Sequence, residues 1–271
     1  MQSDASARVR IWKWVDIGFN EAKERSLSRK AKFPFAQHCS IMALLSIIIP
    51  VFNEVKTLSS VIEAVRACSL KDVQLVVVDD YSTDGTRQLL DGELGDDIDL
   101  VVMHEKNRGK GAALRTGIEA ATGKYVVFQD ADLEYDPNEL QLMLDLLEKG
   151  EADVVYGSRF LNPEIKKISP FWHRMVNRGL TEYSNFFTGL RLTDMETCYK
   201  MFPKRVLDQI TLTEDRFGVE PEITAKAAAL GLSFLEIPIS YDRRTFDDGK
   251  KIGARDGFRA LYVITKYAFV D

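Results

Sequence analysis

The sequence predicts an α/β fold with a mostly parallel central sheet and helices on both faces. Three observations carry that prediction. Short apolar runs alternate with segments of helical periodicity from Leu44 to Arg159. Such alternation builds a parallel sheet covered on both sides. Each apolar run also ends in a polar cluster, at the strand end where open α/β sheets bind ligands. The chain has 271 residues, 45% hydrophobic and 28% charged, which is ordinary globular composition with ample length for a core.

The elements follow in order. LLSIIIP is a buried strand running into a turn at Pro50. TLSSVIEAVRAC repeats its apolar residues at helical spacing. VQLVVVDD is a second strand, and STDGTRQLLDG opens with capping and turn residues. IDLVVMHE is a third strand. GKGAALRTGIEAATG is a small-residue helix closed by Gly123. KYVVFQDAD is a fourth strand. PNELQLMLDLLEKG is a helix with Pro137 in its first turn, Gly150 beyond its end and Asp136 as its cap. ADVVYGSR is a fifth strand. Beyond Arg159 the spacing predicts helices over 171–187 and 220–230, a strand in SFLEIPISY, a polar loop in DRRTFDDGKKIG and an amphipathic helix in ARDGFRALYVITKYAFV.

Residues 1–41 stand apart, with Trp12, Trp14 and Phe19 among Arg and Lys. They read as a membrane-surface helix or as a frayed extension. Residues 42–271 read as one catalytic domain. The net charge of −5 gives no global basic footprint for nucleic acid. Cys39, Cys68 and Cys198 form no C-x-x-C pair, so a disulfide framework or zinc site is not expected and a reducing compartment is. His38, His104 and His173 are isolated and read as structural or exposed. No apolar run reaches the ~18 residues that cross a bilayer, and no signal peptide is visible. The expected location is cytoplasmic, with peripheral contact on the cytoplasmic face of a membrane.

The chemistry concentrates at the strand tips. Asp130 and Asp132 form a D-x-D directly after the fourth strand, with Glu134 close behind. Two carboxylates held together repel unless a cation joins them. Hard oxygen ligands suit Mg²⁺ or Mn²⁺, which typically keep places for substrate phosphates. No Walker loop occurs, and PVFNE stands where a dinucleotide fold has its glycines. Lys110 opens a helix, within reach of a phosphate or of the metal-site acids. Arg159 ends the fifth strand; Arg174 and Arg178 lie four apart on one helix face and suit an anion pocket or a solvated face.

Together SIIIPVFNE, VVVDDYSTDGT, NRGKGAALRTGIEAATGKYVVFQDADLEYDP and YGSRF resemble family 2 glycosyltransferases of the GT-A fold, and among them the dolichyl- and polyprenyl-phosphate sugar transferases. The resemblance runs from about Leu45 to Lys266. It implies that Pro50, Asn53, Glu54, Asp79 and Asp80 hold the nucleoside of a nucleotide-sugar donor. Asp130, Ala131 and Asp132 would lie over the ribose, diphosphate and Mg²⁺ or Mn²⁺, with Glu134 as a third metal contact where relatives often carry Gln. Lys110, Arg244 and Lys251 would reach the diphosphate, with Lys250 as the alternative to Lys251. Arg159, with Arg174 and Arg178, would seat the phosphate of a lipid acceptor. Asp194 aligns with an acid beside the acceptor, and Glu220 and Glu222 brace that region or start a helix.

The implied activity is metal-dependent inverting transfer of a hexose, from GDP-mannose or a UDP-hexose, to a polyprenyl or dolichyl phosphate. A phosphate monoester is already ionised near pH ~7 and needs positioning more than a base. Two rivals stay open: transfer to a sugar or glycan hydroxyl, with Asp194 as base, and nucleotide-sugar binding without turnover. The last helix offers Phe258, Leu261, Tyr262, Ile264, Tyr267 and Phe269 either to a membrane or to the core.

Overall fold

The computed structural model describes residues 43–164, 171–242 and 254–269. The extension 1–41, Arg244, Lys250 and Lys251 lie outside the described residues. The first half is a run of strand and helix: β1 (Leu45–Val51), α1 (Leu58–Ala67), β2 (Val73–Asp79), α2 (Thr86–Asp91), β3 (Leu100–Met103), α3 (Lys110–Ala120), β4 (Tyr125–Phe128), α4 (Leu140–Glu148) and β5 (Val154–Ser158). The second half holds α5 (Phe171–Thr188), β6 (Lys200–Pro203), a single turn α6 (Lys204–Leu207), α7 (Val219–Ala229), β7 (Phe234–Pro238) and α8 (Ala254–Ala268).

The described strands form a seven-stranded sheet in the order β3-β2-β1-β4-β6-β5-β7. Only β6 runs antiparallel, between β4 and β5. The central strands are rich in Val and Ile, which fit a pleat buried on both faces. Ile47, Ile48, Ile49, Val76, Val77 and Val126 are fully enclosed. Asp136 caps the turn Pro137–Glu139 before α4, accepting from the N–H of Asn138 at 2.9 Å.

Two features position the site. The parallel strands bring the ends of β1, β2, β4 and β5 to one edge. Because β6 is antiparallel, its first residue, Lys200, arrives at that same edge. The segment leading into β6 therefore crosses the tips of β5 and β4. It is pinned to the first by Asp194 and to the second by Tyr199, whose hydroxyl donates to Gln129 at 2.6 Å.

Candidate active site

The β1 and β2 tips interlock. Asn53 has a left-handed backbone (φ 54°), its N–H donates to Ser82 Oγ at 2.8 Å, and its Oδ1 accepts from the N–H of Thr83 at 2.8 Å. Glu54 N–H donates to Thr86 Oγ1 at 3.0 Å. Thr57 Oγ1 lies 2.9 Å from Glu54 Oε2 and 2.7 Å from the Ala131 carbonyl, which ties this loop to the β4 tip. Pro50 stays in strand register with Val78.

Asp79 and Asp80 both serve protein donors. Asp79 is fully buried and accepts from Arg87 Nε at 2.6 Å and from the N–H groups of Tyr81 and Ser82. Asp80 accepts from the N–H groups of Arg108 at 2.8 Å and Gly109 at 2.6 Å, and faces His104 Nδ1 at 2.7 Å. His104 is buried in this contact and also meets Thr116 Oγ1. Thus Asp80 folds the loop that launches α3.

The start of α3 is pressed against the segment 214–216. The N–H of Ala112 donates to the Asp215 carbonyl at 3.2 Å. Gly109 has φ +99°, and a side chain on Gly109 or Gly111 would collide with the carbonyls of Asp215 or Glu214. This close approach aims Lys110 at the β4 tip. Its ammonium lies 2.8 Å from Asp130 Oδ1 and 3.2 Å from Glu220 Oε1. Burial alone would depress the Lys110 ammonium. Asp130, then Cys198 and Glu220, outweigh that and hold it well above the ordinary lysine value. In return, Lys110 overcomes the burial of Asp130 and keeps its carboxyl below the usual range. Glu220 also pairs with the fully buried Lys200 at 2.5 Å.

Asp132 follows on a sharp turn, with Leu133 left-handed (φ 60°). Its Oδ1 accepts from the Glu134 N–H at 3.3 Å. The Glu134 carboxylate accepts from the Tyr241 hydroxyl at 2.6 Å. Among the described residues no three His, Cys, Asp or Glu side chains converge into a ready metal cage. Asp130 and Asp132 nonetheless fit a hard divalent ion that completes its shell with substrate oxygens, the habit of Mg²⁺ and Mn²⁺. When bound, such an ion would neutralise charge on a leaving diphosphate.

At the β5 tip Arg159 is clamped by fully buried Asp194. Arg159 Nε donates to Oδ2 at 2.7 Å, Nη2 to Oδ1 at 2.8 Å, and the backbone N–H to Oδ2 at 3.0 Å. Burial disfavours the guanidinium charge, but Asp194 holds it well above its ordinary value. The Tyr241 ring centroid lies 5.1 Å from Arg159 Cζ. Glu236 in turn accepts from the Thr193 and Asp194 N–H groups, which fixes the clamp.

The other sequence candidates are dispersed. Arg178 is 80% exposed, with Nε 3.8 Å from Glu182, on a helix that packs against α7 and α8. Arg174 lies one turn before it on the same helix. Glu222 is buried and braces the N–H groups of Thr213 and Glu214. Four side chains escaped the sequence reading: Glu196, Cys198, Lys200 and Tyr241. Cys198 sits against Asp130, and burial, then that charge, push its thiol well up. Only the crossing of residues 194–200 over the strand tips brings three of them here, and no spacing in the sequence announces it.

The site thus has a cationic and carboxylate half at β4 and a rigid arginine half at β5. That arrangement can hold a diphosphate on one side and a second anion on the other. The profile of glycosyl transferase family 2 matches residues 46–211. Glycosyltransferase AglJ of Haloferax volcanii is 31% identical over 72% of this chain and 62% of its own length. Polyprenol monophosphomannose synthase of Mycolicibacterium smegmatis is 32% identical over 77% of this chain and 81% of its own. The chain thus spans less than two thirds of the first of these relatives. Among solved structures, glucosyl-3-phosphoglycerate synthase of Mycobacterium tuberculosis, crystallised with Mn²⁺, UDP and glucosyl-3-phosphoglycerate, superimposes with TM-score 0.63 at 19% identity, over 84% of this chain and 81% of that one. The same enzyme has been crystallised with Mg²⁺ and UDP.

Proposed function

The chain belongs to glycosyl transferase family 2, with a GT-A fold and glycosyltransferase activity, and we propose that it moves a hexose from GDP-mannose or a UDP-hexose to a polyprenyl or dolichyl phosphate. The observation that carries this reading is the buried Arg159–Asp194 clamp beside the Lys110–Asp130 pair. Arginine in a fixed fork suits a phosphate oxygen pair. Asp194 spends both oxygens on Arg159, so it suits a positioning role better than proton removal. A phosphate attacker is already ionised, and no base is required.

The residues divide the work as follows. Asp130 and Asp132 would hold Mg²⁺ or Mn²⁺, which would neutralise the donor diphosphate, and Lys110 would reach that diphosphate; the M. tuberculosis neighbour was crystallised with either ion and UDP. Asn53 and Glu54 line the nucleoside side. Arg159 holds the acceptor phosphate in line with the anomeric carbon, and attack there inverts its configuration. One relative is named for making polyprenol monophosphomannose, which favours a polyprenyl phosphate acceptor.

A lipid acceptor calls for a surface that meets lipid. Helix α5 exposes Trp172, Met175 and Val176, α8 exposes Phe258, Leu261 and Tyr262, and Phe269 is exposed just beyond its end. Among the described residues no helix is long and apolar enough to cross a membrane. These stripes fit peripheral contact.

The test is a donor panel of GDP-mannose and UDP-hexoses with a short polyprenyl phosphate and Mg²⁺ or Mn²⁺, read by mass spectrometry. A hexosyl-phosphoprenol product that disappears with chelator or in Asp132→Asn is expected. Transfer only to a sugar hydroxyl, or donor binding without any product, would overturn the reading.

A further inference from the structure

We propose that Glu196 grips hydroxyl groups of the transferred hexose and so helps set which sugar the cleft accepts. The inference rests on the donor reading above. It starts from position. Asp194 pins the crossing segment to Arg159 at the β5 tip, and Cys198 lies against Asp130 at the β4 tip. Glu196 lies between them along the segment, within reach of the charges of Lys200, Glu220, Arg159 and Asp194. In the proposed reaction the diphosphate sits at one tip and the attacking phosphate at the other. The sugar must occupy the space between, beside Glu196.

The second observation is a missing partner. Glu196 Oε1 is buried, and among the described residues no hydrogen-bond donor reaches it. The neighbouring cations are committed elsewhere: Arg159 to Asp194, and Lys200 to Glu220. The residue as a whole is half-buried, and in the proposed complex a sugar hydroxyl would supply the donor that Oε1 lacks. A buried carboxylate oxygen without a donor weakens a fold, and native chains rarely keep one without a use. Burial pushes the Glu196 carboxyl up to about 7, with Lys200 opposing and Glu220 reinforcing the shift.

The ligand chemistry follows. A carboxylate only accepts hydrogen bonds when ionised, and its two oxygens match a pair of adjacent hydroxyls. A hexose carries such pairs, and in the proposed complex it is the hexose, not the nucleoside, that lies between the two strand tips. A structural role would pair the carboxylate within the protein, as Asp194 and Glu222 are paired.

Calorimetry separates the possibilities. The probes are GDP-mannose against GDP, and UDP-glucose against UDP, with Mn²⁺. The proteins are the wild type, the isosteric Glu196→Gln, and Glu196→Asp as a second variant that keeps the charge. Hydrogen bonds to a charged acceptor predict that Glu196→Gln weakens nucleotide-sugar binding by about 10–100-fold, while nucleoside diphosphate binding stays within about twofold. Glu196→Asp should recover part of the loss. Equal loss for both ligands, no loss for either, or a wild type that gains nothing from the sugar would overturn the inference and leave the glycosyltransferase reading standing. A wild type that binds no nucleotide and no nucleotide sugar would overturn both.

Discussion

At the scale of single residues, the proposed acceptor role rests on the Arg159–Asp194 pair. Asp194 is fully enclosed and Arg159 largely so, and removing one partner leaves the other charge uncompensated. Asp194→Asn is expected to lower unfolding free energy by on the order of 3 kcal/mol and to raise KM for a polyprenyl phosphate with little change in donor affinity. Denaturant unfolding and steady-state kinetics read the two effects. If Asp194 were a base, the variant would instead lose the pH dependence of kcat while KM stayed put. Glu196 gives a second prediction of opposite sign. Its folded carboxyl titrates at about 7 against an ordinary 4.5, so the folded state holds the proton longer than the unfolded chain. The resulting penalty is absent below pH 4.5, grows as pH rises toward 7 and is full above it. Glu196→Gln removes it, so the variant should gain up to about 3 kcal/mol over wild type at pH 8 and almost nothing at pH 4. A gain that did not change with pH would count against an ionised, unpaired Glu196. These residues also mark the limit of sequence reading. Asp79 and Asp80 stand out as strand-tip acids, yet the chain alone does not say that Arg87 and the 108–109 backbone face them. Glu196 lies in a stretch whose meaning comes only from crossing two strand ends.

At the scale of elements, α3 shows how a loop comes to hold one lysine in a fixed place. Asp80 gathers the N–H groups before the helix, and the 214–216 segment seals its first turn. The glycines at 109 and 111 permit that contact, and Lys110 is the residue delivered. Gly111→Ala would force the Glu214 carbonyl away and is expected to cost about 1–3 kcal/mol, as overpacking does. Because the same shift moves Lys110, donor affinity should fall with it. Unchanged denaturation and donor binding in Gly111→Ala would show that the contact is slack. The first five strands and their helices were legible because apolar runs alternate with segments of period 3.6 and end in turn or cap residues. The strand β6 was not. It is four residues long, KMFP, and opens with a lysine that is wholly buried. A charge inside so short a run hides it from any hydrophobic pattern, and its antiparallel direction follows from pairing with β4 and β5 rather than from local sequence.

At the scale of the whole molecule, the surface is unevenly dressed. Along α5 the exposed Trp172, Met175 and Val176 follow helical spacing, along α8 so do Phe258, Leu261 and Tyr262, and Phe269 is exposed just past its end. The apolar residues of α8 split between two tasks, since Ile264 is buried and Tyr267 packs near Lys226 while the others face outward. The two helices are bound to each other, with the Tyr183 hydroxyl 2.9 Å from Thr265 Oγ1 and the Phe187 and Phe269 rings 5.6 Å apart. A rigid pair of helices with outward aromatic side chains is suited to the headgroup layer of a bilayer. Each buried aromatic or aliphatic side chain contributes roughly 1.5–3 kcal/mol, about tenfold or more in partitioning. Phe258→Ser and Tyr262→Ser are therefore each expected to cut co-sedimentation with anionic vesicles by about tenfold while GDP-mannose and UDP-glucose affinities hold. Leu142→Ser, an equally exposed apolar site on α4, is the control and should change nothing. Because the contact is apolar, binding should persist at ~0.5 M salt, where exposed charge attraction is largely screened. Vesicle binding that vanished with salt and ignored Phe258 would place the lipid contact on charged residues instead, and with it the proposed route of a lipid phosphate to Arg159.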